Sequence, residues 1–235
     1  MRRGAIPPDY EADPERFRTA RAVLHRHAAA GDIHERVAAR MVAERLTPVL
    51  DVGCGEGELA RHLPPDAWVG LDSSPRLLAA APPGAVGGDA TALPFADEAF
   101  GSVALLYVLY HLDDPRLALA EAHRVLRPGG LVAVAAPSRH DSPELAAALP
   151  ARSLTFDAEL APELLAERFD EIEVARWDAP LLSLPTRDAV RDYLVGKGLA
   201  REVAAAEAAS VEAPLTVTKR GALVYGRRRA GAATR

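Results

Sequence analysis

The sequence predicts an α/β fold in which a mostly parallel sheet carries helices on both faces. Three observations predict it. Short apolar runs alternate with amphipathic segments along much of the chain, the pattern of a parallel sheet with crossover helices. The run Leu131–Ala136 is continuously apolar, as in a strand buried on both faces. Val49-Leu50-Asp51-Val52 leads straight into Gly53-Cys54-Gly55-Glu56-Gly57, a buried strand that ends in a glycine-rich turn.

The elements follow in order. Asp13-Pro14-Glu15 opens a helix, with Asp as the cap, Pro at the first position and an acid in the first turn. Phe17, Val23 and Leu24 give that helix an apolar stripe. Gly31-Asp32 stops it and caps a second helix running to about Leu46, with Ile33, Val37 and Met41 at helical spacing. Strands are expected at Val49–Val52, Trp68–Leu71, Ala85–Val86 and Val103–Leu106. Asp114-Pro115 caps a helix carrying Leu117, Leu119, Ala120 and Val125, and Pro128-Gly129 makes a type II turn before the strand Leu131–Ala136. A helix near Pro162–Arg168 precedes a sixth strand, Ile172–Trp177. A seventh falls at Leu215–Thr218 and Ala222–Tyr225, broken near Lys219-Arg220-Gly221. Between strands six and seven, residues 180–214 show helical pattern at Arg187–Val195 and Arg201–Val211. That is long for a hairpin connection and reads as a helical insertion.

The glycine turn carries the chemistry. Glycine accepts positive φ and lets the backbone approach a ligand closely. A helix opening behind the turn would offer unpaired N–H groups and a positive dipole end. A dinucleotide fingerprint is G-x-G-x-x-G, but its third glycine position is occupied here by Glu58, which would repel a pyrophosphate. Asp72 ends the second strand about 20 residues after the first glycine, where a ribose-binding carboxylate stands. The expected ligand is a nucleoside without phosphates.

With these residues the chain resembles the class I S-adenosylmethionine-dependent methyltransferases, in particular the small-molecule type 11 group. Five blocks carry the resemblance between about Thr47 and Pro137: Val49 to Gly57, Gly70 to Ser74, Gly88 to Phe95, Phe100 to Leu112, and Arg127 to Gly130. Gly101 departs from it, since the family usually has an Asp after the Phe. The resemblance implies a Rossmann-like sheet of seven strands, the last antiparallel, and S-adenosyl-L-methionine as cofactor. It implies that Asp51 braces the glycine turn and that Gly53, Cys54 and Gly55 cradle the methionine part. It gives the ribose to Asp72 with Ser73, the adenine to Asp89 and the Ala90 N–H, and the cofactor lining to Leu106 and Tyr107. Tyr10 either folds over the cofactor, as a tyrosine does in some relatives, or is a disordered N-terminal aromatic.

The implied organisation is 1–46 for N-terminal cap helices, 47–179 for the cofactor-binding core, 180–214 for a helical lid, 215–226 for the last strand and 227–235 for a tail. Substrate-facing candidates leave the same sheet edge: Tyr110 and His111 after strand four, Arg139 and His140 after strand five, together with Tyr10. His111 and His140 are candidate general bases, because histidine titrates near neutral pH. His111 reads equally as a structural residue, and Arg139-His140-Asp141 as a solvated loop.

Composition narrows the function. The 235 residues carry a net charge of −5, which argues against nonspecific nucleic-acid binding. Cys54 is the only cysteine, so neither a disulfide framework nor a thiolate zinc site is expected. No metal motif appears, and His25, His27, His34, His62 and His123 read as surface histidines. Without an apolar membrane span or a signal-peptide core, the expected location is cytoplasmic. The expectation is a methyltransferase acting on a small-molecule O or N acceptor. The rivals are an RNA-modifying methyltransferase, supported only by the basic tail, and a cofactor-binding regulatory or partner protein.

Overall fold

A computed structural model describes residues 13–29, 31–149 and 154–229. Seven strands form one sheet in the order β3-β2-β1-β4-β5-β7-β6: β1 Val49–Val52, β2 Trp68–Asp72, β3 Ala85–Gly87, β4 Phe100–Leu106, β5 Leu126–Pro137, β6 Asp170–Leu184 and β7 Leu215–Arg227. Strands β1 to β5 pair in parallel, and β7 runs antiparallel to β5, with Leu131 opposite Arg227 and Pro137 opposite Gly221. The helices are α1 Pro14–His27, α2 Ile33–Ala43, α3 Pro75–Leu78, α4 Pro115–Val125, α5 Ala161–Ala166, α6 Arg187–Gly196 and α7 Arg201–Ser210. Among the described residues no helix is long and apolar enough to cross a membrane.

The chain divides into two compact units. Of the described residues, the larger takes 31–139, 154–176 and 221–229; the smaller takes 13–29, 140–149 and 177–220. This division falls elsewhere than the sequence boundaries: α2 belongs with the core, while α1 joins α6 and α7.

In the larger unit, period-two alternation turns Leu50 and Val52 of β1, Val103 and Leu105 of β4, and Val132 and Val134 of β5 into one core with Leu119, Val125, Leu165 and Phe169. The other face of β1 carries Val49 and Asp51. Glycine at 101 follows from packing: a Cβ there would stand 2.5 Å from the Leu46 carbonyl carbon and 2.7 Å from its oxygen. The aspartate usual in the family has no room at this position. Three expectations shift locally. Helix α2 stops at Ala43 rather than Leu46, with Arg45 just beyond in the left-handed region at φ 57°. Leu117 turns outward, 53% exposed, because Ala118, Leu119 and Ala122 already fill the inner face of α4. The glycine turn is followed by a single 3₁₀ turn, Leu59–His62, and not by a helix. Pro64 forces Leu63 to extended geometry (φ −108°, ψ 153°), which ends the turn at once.

In the smaller unit, Val23 of α1, Leu182 and Leu184 of β6, Val190 and Leu194 of α6, Ala204 and Ala208 of α7, and Val217 of β7 bury one another. Leu24, expected in the α1 stripe, is 41% exposed. Strand β7 is continuous through Lys219-Arg220-Gly221 where a break was expected. Asp141 accounts for this: its Oδ1 accepts the Arg220 backbone N–H at 2.9 Å, and its Oδ2 accepts from Lys219 Nζ at 2.5 Å.

Candidate cofactor site

The candidate site lies in the larger unit at the carboxyl ends of β1, β2 and β4, the switch point where ligands of open α/β sheets bind. Gly53, Gly55 and Gly57 all take positive φ, at 72°, 55° and 79°. A Cβ on Gly53 would stand 2.5 Å from Val108 Cγ2, and one on Gly57 would stand 2.4 Å from Pro82 Cδ. The turn is thus closed to side chains from both sides, and its backbone is presented bare. The Gly53 and Cys54 N–H groups both donate to the Leu71 carbonyl, at 2.7 and 3.0 Å.

Asp72, at the end of β2, holds this turn. Its Oδ2 accepts the Gly55 N–H at 2.8 Å and its Oδ1 accepts the Ser74 N–H at 2.9 Å. A carboxylate offers about four lone-pair sites, so two backbone bonds leave acceptor capacity for ribose hydroxyls. The bracing expected of Asp51 therefore falls to Asp72. Asp51 is 4% exposed and accepts the Trp68 indole N–H at 3.2 Å. Burial pushes its carboxyl up to about 7; the Trp68 bond opposes this and the nearby Asp72 charge adds to it. Cys54 is buried, and burial pushes its thiol well up, so it is a packing residue rather than a nucleophile.

Ser73 is exposed, whereas Ser74 is buried and caps α3 through the Leu77 N–H at 3.3 Å. Asp89 is exposed, and its Oδ1 accepts both the Thr91 backbone N–H and the Thr91 hydroxyl at 2.8 Å. These bonds hold the carboxyl below the usual range. Ala90 packs against the core. Leu106 is buried at the end of β4. Tyr107 follows it in the left-handed region at φ 60°, its N–H bonded to the Ala135 carbonyl at 2.9 Å. A tyrosine held there costs conformational energy, and such residues cluster at functional sites. Nothing in the sequence signals this strain.

The acceptor-side candidates separate. Tyr110 and His111 lie together in a 3₁₀ turn, Leu109–His111, with ring centroids 4.5 Å apart. Arg139 spends its guanidinium on the nearly buried Asp157, at 2.7 Å, and approaches Glu159 at 3.6 Å. These ion pairs favour a structural part for it. His140 is exposed and belongs to the smaller unit. Tyr10 lies outside the described residues. A depression of about 370 Å³ lined by His123, Glu167, Arg168, Asp170 and Arg229 holds none of the predicted cofactor residues.

Residues 50–134 match the family model described as a methyltransferase domain. A trans-aconitate 2-methyltransferase of Deinococcus radiodurans is 38% identical over 131 residues, 49% of this chain and 46% of that protein. Across the first four curated relatives, the matched stretch spans between 21% and 46% of their lengths. Among solved structures, a possible histamine N-methyltransferase of Thermotoga maritima has a TM-score of 0.62 at 19% identity, over 94% of this chain and 98% of that one. The [4+2]-cyclase SpnF also has a TM-score of 0.62, at 21% identity over 94% of this chain and 95% of that one. At these identities the solved structures establish the fold. The family match, over the glycine turn and most of β1 to β5, makes residues 50–134 similar to a methyltransferase domain.

Proposed function

We propose that the protein transfers a methyl group from S-adenosylmethionine to a small-molecule acceptor at oxygen or nitrogen. One observation carries the reading: Asp72 braces the bare glycine turn through Gly55 and keeps acceptor capacity at the end of β2. That arrangement suits a ribose beside a phosphate-free chain. The bound cofactor would supply an electrophilic methyl on a sulfonium, whose C–S bond breaks as the acceptor's bond to carbon forms. The chain then has mainly to align the reactants, which is worth roughly 7–11 kcal/mol at best. Gly53, Cys54 and Gly55 cradle the methionine part, Asp72 and Ser73 take the ribose, Asp89 and Ala90 the adenine, and Leu106 and Tyr107 line the cofactor. His111, in the same unit as the glycine turn, is the candidate base for the acceptor's proton.

The test is a thermal shift with S-adenosylmethionine and with its demethylated product, followed by methyl transfer to a panel of small hydroxyl and amine acceptors. A hundredfold excess over Kd is worth about 2.7 kcal/mol. At about 2–4 °C per kcal/mol this is a rise of roughly 5–10 °C. No rise with either ligand, beside a clear rise with a nicotinamide dinucleotide, overturns the cofactor. A second reading keeps the cofactor and drops the transfer, since a cyclase shares the fold and function lives in the site. Binding with no transfer to any acceptor class, carbon included, would favour that reading or a partner role.

A further inference from the structure

Four side chains that the sequence scatters come together behind the glycine turn. Asp32 caps α2 and accepts the His34 backbone N–H with Oδ1 at 2.8 Å. The same Oδ1 lies 2.9 Å from His34 Nδ1, and Oδ2 lies 3.1 Å from His62 Nε2. Glu58 and His62 stand one helical turn apart across the 3₁₀ segment that follows Gly57. One ligand atom each from Asp32, Glu58 and His62 lies within 4.8 Å of the others. All three side chains are partly sheltered: Glu58 is 12% exposed, His62 26% and Asp32 29%.

We propose that Asp32, Glu58 and His62 bind a divalent transition-metal ion of the zinc class, which ties the start of α2 to the segment just after the glycine turn. Ligand atoms at ~2.0–2.1 Å from a tetrahedral zinc stand about 3.3 Å apart. The Asp32–His62 separation of 3.1 Å is close to that value, and the Glu58 ligand atom already lies within 4.8 Å of both. One imidazole nitrogen with two carboxylate oxygens suits zinc, cobalt or manganese better than magnesium, which prefers an octahedron of oxygens. His34 is the outer partner: its ring and its backbone N–H hold Oδ1, the Asp32 oxygen turned away from His62, as groups behind metal ligands do. Arg61, 3.3 Å from Glu58 and 60% exposed at its side chain, is free to swing away as the ion enters. The proposal stands independently of the methyl-transfer reading.

Equilibrium dialysis of the untagged full chain against Zn²⁺, with metal analysis, gives the stoichiometry; Co²⁺ gives a visible absorption that reports an imidazole–carboxylate site. The expected result is one zinc per chain, and a melting temperature raised by Zn²⁺ and not by Mg²⁺. His62→Gln and Glu58→Gln, each made singly, should weaken binding at least tenfold while circular dichroism stays unchanged. Asp32 is left in place because it also caps α2. Absence of stoichiometric zinc overturns the site, and so does zinc or cobalt binding that survives both substitutions.

Discussion

Two aspartates of similar burial, one in each unit, have opposite electrostatic fates. Asp51 in the larger unit is 4% exposed, meets one neutral donor and is pushed up to about 7. Asp141 in the smaller unit has a side chain 6% exposed and meets two ammonium groups, Lys197 at 2.7 Å and Lys219 at 2.5 Å. Burial alone would push its carboxyl up, but the two lysines outweigh burial and hold it at about 2. Burial therefore does not decide the charge of a carboxyl; its partners do. The smaller unit spends its acid on structure: Asp141, Ser142, Tyr193 and Lys219 form a closed network, with Tyr193 O to Ser142 Oγ at 2.6 Å and to Lys219 Nζ at 2.7 Å. In the larger unit Asp72 keeps acceptor capacity at the end of β2, where a ligand would complete it.

The hardest break of this comparison is Asp141→Ala. It strands two partly buried ammonium groups, and removing one partner of a buried pair costs about 3–5 kcal/mol. Urea unfolding at neutral pH should show a loss of that size. Because the folded carboxyl lies below its unfolded value of 3.8, the wild-type advantage is present above that pH and shrinks as pH falls toward 2. A loss below about 1 kcal/mol at pH 7 would mean that the network is a solvated surface pair.

Next is Asp72→Ala. The Gly55 and Ser74 N–H groups lose their acceptor, and a bound ribose loses hydrogen bonds to a charged group, worth about 1.5–3 kcal/mol. Calorimetry with S-adenosylmethionine should show affinity weakened by that amount. Wild-type affinity would remove Asp72 from the ribose and leave it as a brace of the turn alone.

Asp51→Asn sharpens the contrast, because the amide oxygen still accepts from Trp68 while the charge is gone. The folded carboxyl titrates near 7 and the unfolded one near 3.8. Between those values the folded state holds a proton that the unfolded state has lost, so wild-type stability falls as pH rises. The slope is about 1.4 kcal/mol per pH unit. Wild type minus Asp51→Asn, measured by denaturation from pH 4 to 7, should show that slope; a flat difference would mean that Asp51 is ionised throughout.

What the sequence could show follows from how local each signal is. The bounds of β1 and the start of α4 were legible because strand period and the Asp-Pro cap act within a few residues. The glycine turn was legible because only glycine fits there. The orientation of Leu24 and Leu117 was not, since a helix with apolar residues to spare buries only the face its neighbours reach. The switch of the turn's brace from Asp51 to Asp72 was hidden as well, because Asp51 sits one residue before the end of β1 and Asp72 at the end of the adjacent β2, and only register decides which one meets Gly55. His62, expected at the surface, meets Asp32 from 30 residues away, a pairing no periodicity encodes.

The smallest expected effect belongs to Asp89→Asn. Asp89 Oδ1 already serves Thr91 twice, which makes a local turn, and the carboxylate is exposed to water. Asparagine keeps one oxygen, whose two lone pairs suffice for the Thr91 bonds, so the turn survives while the adenine amino group loses the second carboxylate oxygen as its acceptor. At so exposed a position one such bond is worth about 0.5–1.5 kcal/mol, and cofactor affinity should fall by no more than that. Asp89→Ala removes the oxygen itself and separates the two roles. If Asp89 receives adenine, alanine weakens S-adenosylmethionine by more than it weakens S-ribosylhomocysteine, which lacks the base. If Asp89 only shapes the turn, alanine lowers the melting temperature and weakens both ligands alike. Equal losses for the two ligands in calorimetry would therefore withdraw Asp89 from the cofactor and leave the adenine to backbone groups such as the Ala90 N–H.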